Sequence, residues 1–147
     1  MGAAMETIRV QLLRAGARVP SRATEGSSGF DLYACTGGAE IEVTQVPVLI
    51  PTGIAIEAPP GLDVQVRPRS GLARLGVIAA FGTIDADYRG EVLVTLYTTS
   101  AGIRHVVRDG DRIAQLVVSR LEPVRFEVAD ALAATARGAA GHGSTGR

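Results

Sequence analysis

Apolar residues along most of this chain recur at every second position or in short β-branched runs, and almost nowhere at helical spacing. Ile8, Val10 and Leu12 alternate with Arg9 and Gln11, and Leu62, Val64 and Val66 alternate with Asp63, Gln65 and Arg67. A period of two places one set of side chains on each face of a strand, so both segments read as half-buried strands. Further runs at 41–43, 46–50, 53–57, 92–97, 103–107, 113–118 and 124–128 are short, rich in Val and Ile, and bounded by Gly, Pro or Asp. They predict many short strands and therefore an all-β sandwich or barrel. Helical spacing survives only in a turn or two after Ser70, through Gly71 to Leu75, and more weakly at 130–135. Residues 137–147 have no apolar face and read as a flexible arm appended to a β domain at 1–136.

Composition narrows what that domain is for. At 147 residues the chain suits one domain with a real core. With no Trp, three Phe and three Tyr, that core is expected to consist mostly of Val, Ile, Leu and Ala. Fifteen Lys and Arg balance fifteen Asp and Glu, so no global basic field points to nucleic acid and no polybasic arm to a membrane. Cys35 is the only cysteine, which excludes an internal disulfide and a multi-cysteine zinc cluster, and fits a reducing, cytoplasmic setting. The start has no cationic region followed by an apolar core, and no apolar run approaches the roughly 20 residues that span a bilayer.

Candidate chemistry concentrates in a few segments. Gly82-Thr83-Ile84-Asp85-Ala86-Asp87-Tyr88-Arg89-Gly90-Glu91 packs carboxylates, a ring and a guanidinium between two apolar runs, which suggests an active-site hairpin. Asp85 and Asp87 would share a face if the backbone there is extended. Turn-forming acids are the plain alternative, and a carboxylate that takes a proton from an attacking water is the functional one. Pro68-Arg69-Ser70-Gly71-Leu72-Ala73 joins a strand to the short helical turn. Its free N–H groups, with Arg69 and Ser70, suit an anion, although a simple strand-to-helix corner uses the same residues. Gln115 interrupts an apolar run and needs a hydrogen-bonding partner, so it faces a polar site or an interface. Asp31, between apolar residues in Ser28-Gly29-Phe30-Asp31-Leu32-Tyr33-Ala34, is a cap, a turn acid or a contributor to a magnesium shell. His105 and His142 lack metal-ligand spacing, and the Gly-rich Lys-Ser/Thr loop of P-loop hydrolases is missing. Arg137 and the Gly-Ser-Thr-Gly run of the arm offer donors for phosphate oxygens.

Together and in order, the Asp31, Arg69 and Asp85 segments, Gly110-Asp111-Arg112-Ile113-Ala114-Gln115-Leu116, and the arm at 137–146 resemble the five motifs of the trimeric deoxyuridine triphosphate nucleotidohydrolases, the dUTPases. The match spans residues 8–147. The resemblance implies a jelly-roll-like homotrimer whose active sites are shared between subunits, with dUTP as substrate and Mg2+ as cofactor. It implies hydrolysis to dUMP and pyrophosphate, which limits uracil in DNA and supplies dUMP for dTMP synthesis. By the same carry-over, Asp85 activates the water and Tyr88 packs on the deoxyribose. Arg69, Ser70, Gly71 and Gln115 hold phosphates, and Asp31 meets magnesium through water. The main chain of a hairpin including Ala79, Gly82, Thr83 and Ile84 reads uracil. The arm, closing over a neighbouring subunit's site, brings Arg137, His142, Gly143, Ser144 and Thr145, of which Arg137, Ser144 and Thr145 meet the γ end of the triphosphate. Two positions depart from the family pattern. Ala79-Ala80-Phe81-Gly82 stands where many bacterial members have Asn-x-Pro-Gly, and His142 stands where Phe is usual. A dCTP deaminase of the same fold family and a dUTP-binding homologue without turnover are the competing functions.

Overall fold

Eleven strands and one short helix make up the ordered body of the chain in the computed structural model, which describes residue 2 and residues 4–143. In chain order the elements are β1 (Arg9–Leu12), β2 (Phe30–Tyr33), β3 (Ile41–Val43), β4 (Val48–Pro51), β5 (Ile54–Glu57), β6 (Leu62–Arg67), α1 (Ser70–Arg74), β7 (Val77–Ala79), β8 (Gly82–Ile84), β9 (Leu93–Thr98), β10 (His105–Val107) and β11 (Arg112–Arg120). Every strand pairing between named strands is antiparallel. The pairings form a four-stranded sheet in the order β2-β11-β6-β8, a three-stranded sheet β4-β9-β7, and the two pairs β1-β5 and β10-β3. The all-β reading of the sequence holds, and so does the helical turn beginning at Ser70.

The alternation seen in the sequence is the alternation of burial. In β6, Val64 and Val66 are buried while Asp63, Gln65 and Arg67 are not, and in β9 Val94, Leu96 and Thr98 point inward. Leu32, Val43, Ile50, Ile54, Val64, Leu96, Val107 and Ile113, drawn from eight strands, are the heart of the core. No Phe or Tyr is fully buried among the described residues, as the aromatic-poor composition foretold. Among these residues no helix is long and apolar enough to cross a membrane.

β11 does most to shape the site. Its register against β2 shifts between Arg112 and Ala114, so that Ile113 and Ala114 are both buried in succession. A bulge of this kind re-aims the side chains that follow it. Gln115 consequently lies opposite Asp31 of β2 on one side and Arg67 of β6 on the other.

Several expectations are corrected. Residues 124–128 form no strand: after β11 the amide of Leu121 still donates to Gly61 O at 2.9 Å, but Val124, Phe126 and Val128 are exposed, Phe126 and Val128 almost completely. A strand needs a neighbouring edge, and none among the described residues pairs with that segment. Residues 130–135 form no helix, because so short a segment with no packing surface cannot offset the cost of nucleation. The stretch from Ala79 to Ile84 is not a hairpin. β7 pairs with β9 and β8 pairs with β6, so Ala80 and Phe81 carry the chain from one sheet to another. The segment from Gly82 to Glu91 is likewise a crossing between sheets rather than a hairpin, since β8 and β9 belong to different ones. Asp85 and Asp87 lie in a tight turn closed by the Tyr88 amide donating to Asp85 O at 3.0 Å, so they do not share an extended face.

Candidate active site

The most chemically loaded concavity is an open cavity of about 310 Å³ where the end of β6, the start of α1, β2 and β11 meet. Asp31, Arg69, Ser70, Gly71 and Gln115 all line it, joined by Ser27, Ser28 and Gly29. Five residues singled out from sequence, spread over 85 positions of chain, thus meet at one place because β11 pairs with both β2 and β6.

Each side chain has an identifiable support. The Asp31 backbone is held by a bridge to Ser21, its amide donating to Ser21 O at 2.7 Å. Arg69 ends its strand-like approach after Pro68 with extended dihedrals and precedes the first turn of α1. Its Nε–H donates to Asp31 Oδ1 at 3.2 Å and its Nη1 to the main-chain O of Arg112 at 3.1 Å. Arg112 completes the cluster, with Nη1 3.7 Å from Asp31 Oδ2. The Asp31 side chain is only 14% exposed, so these cations offset a carboxylate that is largely removed from water. Gln115 Nε2 donates to Pro68 O at 2.9 Å, which ties β11 to the corner leading into α1.

Two glycines of the cavity differ in kind. A Cβ at Gly29 would overlap the carboxamide of Gln115, so glycine there lets the glutamine lie across β2. A Cβ at Gly71 would meet no atom within 4 Å. The protein's own packing therefore does not demand glycine at 71, whereas close approach of a ligand to the backbone of the first helical turn would.

The turn from Asp85 to Glu91 does not line this cavity. Asp85 is exposed, and its carboxylate has no hydrogen bond or ion pair among the described residues. Tyr88 is partly exposed, and its hydroxyl donates to the main-chain O of Glu91 at 2.9 Å. β8, just before the turn, is an edge strand: β6 takes one side, and the other side has no strand partner among the described residues. Ala79 is buried and lies on β7 in the other sheet, so only Gly82, Thr83 and Ile84 share this edge. In the arm, Arg137 Nε donates to Ala140 O at 2.7 Å, and His142 and Gly143 both have positive φ, 49° and 86°. Ser144 and Thr145 lie outside the described residues.

Sequence reasoning missed three supporting residues. Arg112 and Glu91 sit inside motifs quoted for other members, and the importance of Gly29 shows only once Gln115 is seen above it. A larger hollow of about 350 Å³ on β1 and β5, lined by Arg9, Gln11, Glu57 and Arg89 among others, gathers none of the residues that the resemblance places in the site.

The dUTPase family model matches residues 15–146. The chain belongs to the dUTPase family. Among its relatives, a deoxyuridine 5'-triphosphate nucleotidohydrolase of Treponema pallidum is 47% identical over 135 residues, covering 89% of this chain and 92% of that protein. The protein of the same name from Desulfotalea psychrophila is 49% identical over 135 residues, covering 87% of each. Among solved structures, a Staphylococcus bacteriophage 80alpha dUTPase with dUpNHpp superposes with a TM-score of 0.81 at 23% identity, covering 97% of this chain and all of the other. A phage phi11 dUTPase variant, described for its coordination of a structural Mg(II) ion, gives 0.76 at 20% identity, covering 85% and 97%. At such identities the superpositions establish the dUTPase fold, and the family assignment rests on the sequence matches.

The donor set also bears on a metal. No group of three or more His, Cys, Asp or Glu side chains among the described residues could form a metal cage, and Asp31, the carboxylate of the cavity, already faces two guanidinium groups. Such a donor set fits a magnesium ion held mainly by phosphate oxygens and water rather than by a protein cage.

Proposed function

We propose that this protein is a magnesium-dependent dUTP diphosphatase acting as a cytoplasmic homotrimer. The observation that carries the reading is a division of labour within one chain. Asp31, Arg69, Ser70, Gly71 and Gln115 surround a cavity suited to phosphates, while the exposed Asp85 and the ring of Tyr88 stand outside its lining. A phosphate cradle without a base and a base without a cradle become one site when copies of the chain face each other.

In that site the Arg69 guanidinium, the Ser70 hydroxyl, the N–H groups at Gly71 and the Gln115 amide bind the triphosphate. Asp85 takes a proton from a water whose oxygen forms a bond to the α-phosphorus. The bond from that phosphorus to the bridging oxygen breaks, and pyrophosphate leaves with the electron pair. Magnesium bound with the triphosphate would supply charge neutralisation, and Asp31 would hold a water of its shell. Phosphoryl transfer of this kind depends on positioning and electrostatics, which the Asp31–Arg69–Arg112 cluster is built to supply. The ring of Tyr88 closes on deoxyribose and excludes a 2′-hydroxyl. The free edge of β8, from Gly82 through Ile84, offers main-chain donors and acceptors to uracil, and Ala79 contributes from the neighbouring strand.

The exposed Val124, Phe126 and Val128, at strand spacing but without a strand partner among the described residues, support burial against another copy. The arm at 137–147 then extends from the domain at 1–136 toward a neighbouring site, where Arg137, His142, Gly143, Ser144 and Thr145 complete the enclosure. The lone buried thiol of Cys35 suits the cytoplasm.

Pyrophosphate release from dUTP, UTP, dCTP and dTTP, with and without magnesium, tests the proposal. Release from dUTP alone, dependent on magnesium, is expected. Equal rates on all four overturn it, ammonia release from dCTP replaces it with a deaminase, and dUTP binding without turnover replaces it with a non-catalytic homologue.

A further inference from the structure

We infer that Glu91 is a positioning residue for sugar selection: its carboxylate fixes the turn that carries Tyr88, and so sets how strongly the site rejects a ribonucleotide. The inference rests on the reading of Tyr88 as the surface against deoxyribose.

A continuous set of contacts runs from the core to the ring. Gly53, at the corner between β4 and β5, has φ +70°, and a Cβ there would stand 2.9 Å from both Ala17 Cβ and Cys35 Sγ. The corner is therefore packed tight, and glycine is required at it. The Gly53 amide donates to Glu91 Oε1 at 2.8 Å, and Arg14 Nη2 donates to the same oxygen. The Glu91 side chain is 21% exposed, so these two donors are most of what replaces its water. On the next residue, the Val92 amide donates to Ile54 O at 2.8 Å and its carbonyl accepts the buried Thr52 hydroxyl at 2.5 Å. Glu91 is thus held by its side chain on one side and by its neighbour's main chain on the other. Its own carbonyl then accepts the Tyr88 hydroxyl at 2.9 Å.

Among the described residues the Tyr88 hydroxyl has no other hydrogen-bond partner. The ring lies over Gly90, where a Cβ would overlap the Tyr88 hydroxyl and approach Cε2 to 2.9 Å. The Arg89 side chain braces the turn locally, with Nη1 donating to Ala86 O at 2.7 Å and Tyr88 O at 3.1 Å. Selection against a 2′-hydroxyl depends on ring placement to within a fraction of an ångström, and that placement is inherited from Glu91.

The test compares kcat/KM for dUTP with that for UTP in Glu91→Ala, Glu91→Gln, Tyr88→Phe, Tyr88→Ala and the Glu91→Ala/Tyr88→Ala double variant. Glu91→Ala should lower the dUTP preference by about tenfold, the scale of a small displacement of a substrate-contacting group. Glu91→Gln, which keeps an acceptor for the Gly53 amide, should restore part of it. Tyr88→Phe, which retains the ring but loses the tie to Glu91 O, should also lower it. The double variant should be no less selective than Tyr88→Ala. A wild-type preference in Glu91→Ala beside a reduced one in Tyr88→Ala overturns the inference alone, as does a double variant whose loss is the product of the two single losses. An unchanged preference in Tyr88→Ala removes the sugar-pocket reading and the inference with it. Should Glu91→Ala fail to fold, Tyr88→Phe decides: an unchanged preference there overturns the tie.

Discussion

Arg69 donates its Nε–H to Asp31 Oδ1 at 3.2 Å while its Nη1 reaches the Arg112 carbonyl, so the acid of the cavity and a main-chain oxygen of β11 together fix the guanidinium. Removing the acid should therefore disorder the arginine as well as any water-mediated contact to magnesium. Hydrogen bonds to charged groups are worth about 1.5–3 kcal/mol, a factor of roughly 10–100 in rate if lost from the transition state. Asp31→Ala should lower kcat/KM for dUTP by about that factor. Asp31→Asn, which keeps an acceptor for Arg69, should lose less, and steady-state pyrophosphate release measures both.

Gly29→Ala and Gly71→Ala should separate folding from ligand approach. At Gly29 the added methyl meets the Gln115 side chain, so a stability loss of about 1–3 kcal/mol by denaturant unfolding is expected, with reduced turnover. At Gly71 the methyl meets nothing, so the unfolding midpoint should hold while the KM for dUTP rises.

Asp85→Asn should leave the melting temperature unchanged, since the carboxylate is exposed and has no protein partner among the described residues. Turnover should fall by about 10²–10⁴-fold, the usual contribution of a general base. Calorimetry beside single-turnover kinetics checks the pair of outcomes.

Phe126 is 100% exposed and Val128 99% exposed. Phe126→Ser should shift the assembly toward monomer in light scattering and lower activity in parallel. Truncation after residue 136 should instead keep the trimer and lower turnover alone. Activity that survives monomer formation would argue against a site shared between copies.

Much of the fold was legible because period-two patterning and β-branched runs are local signals. They located β1, β3, β4, β5, β6, β9, β10 and β11 to within two residues at each end. β7 and β8, only three residues each, fell beneath that signal, since Gly82-Thr83-Ile84 carries a single large apolar side chain. The apolar spacing of 124–128 misled for the opposite reason. It is strand-like, but a strand is defined by its partner, and the described residues supply none.

The candidate site divides along the same line. Asp31, Arg69, Ser70, Gly71 and Gln115 could be named from motif order, because their residue types announce phosphate chemistry. Their convergence could not, because it depends on β11 lying between β2 and β6 with a bulge that turns Gln115 toward Asp31. The same holds for Glu91, whose partners Arg14 and Gly53 are 77 and 38 residues away.

By itself the sequence determined the all-β class, the aromatic-poor core, the neutral charge and the residue types available for phosphate chemistry, since all of these follow from local pattern and composition. Tertiary structure decided which strands share a sheet, that residues 79–84 cross between two sheets, and that Asp85 stands apart from the Arg69 cavity. Those outcomes depend on pairings between segments far apart in the chain, where the choice among competing edges is made by burial of the whole core rather than by any one segment.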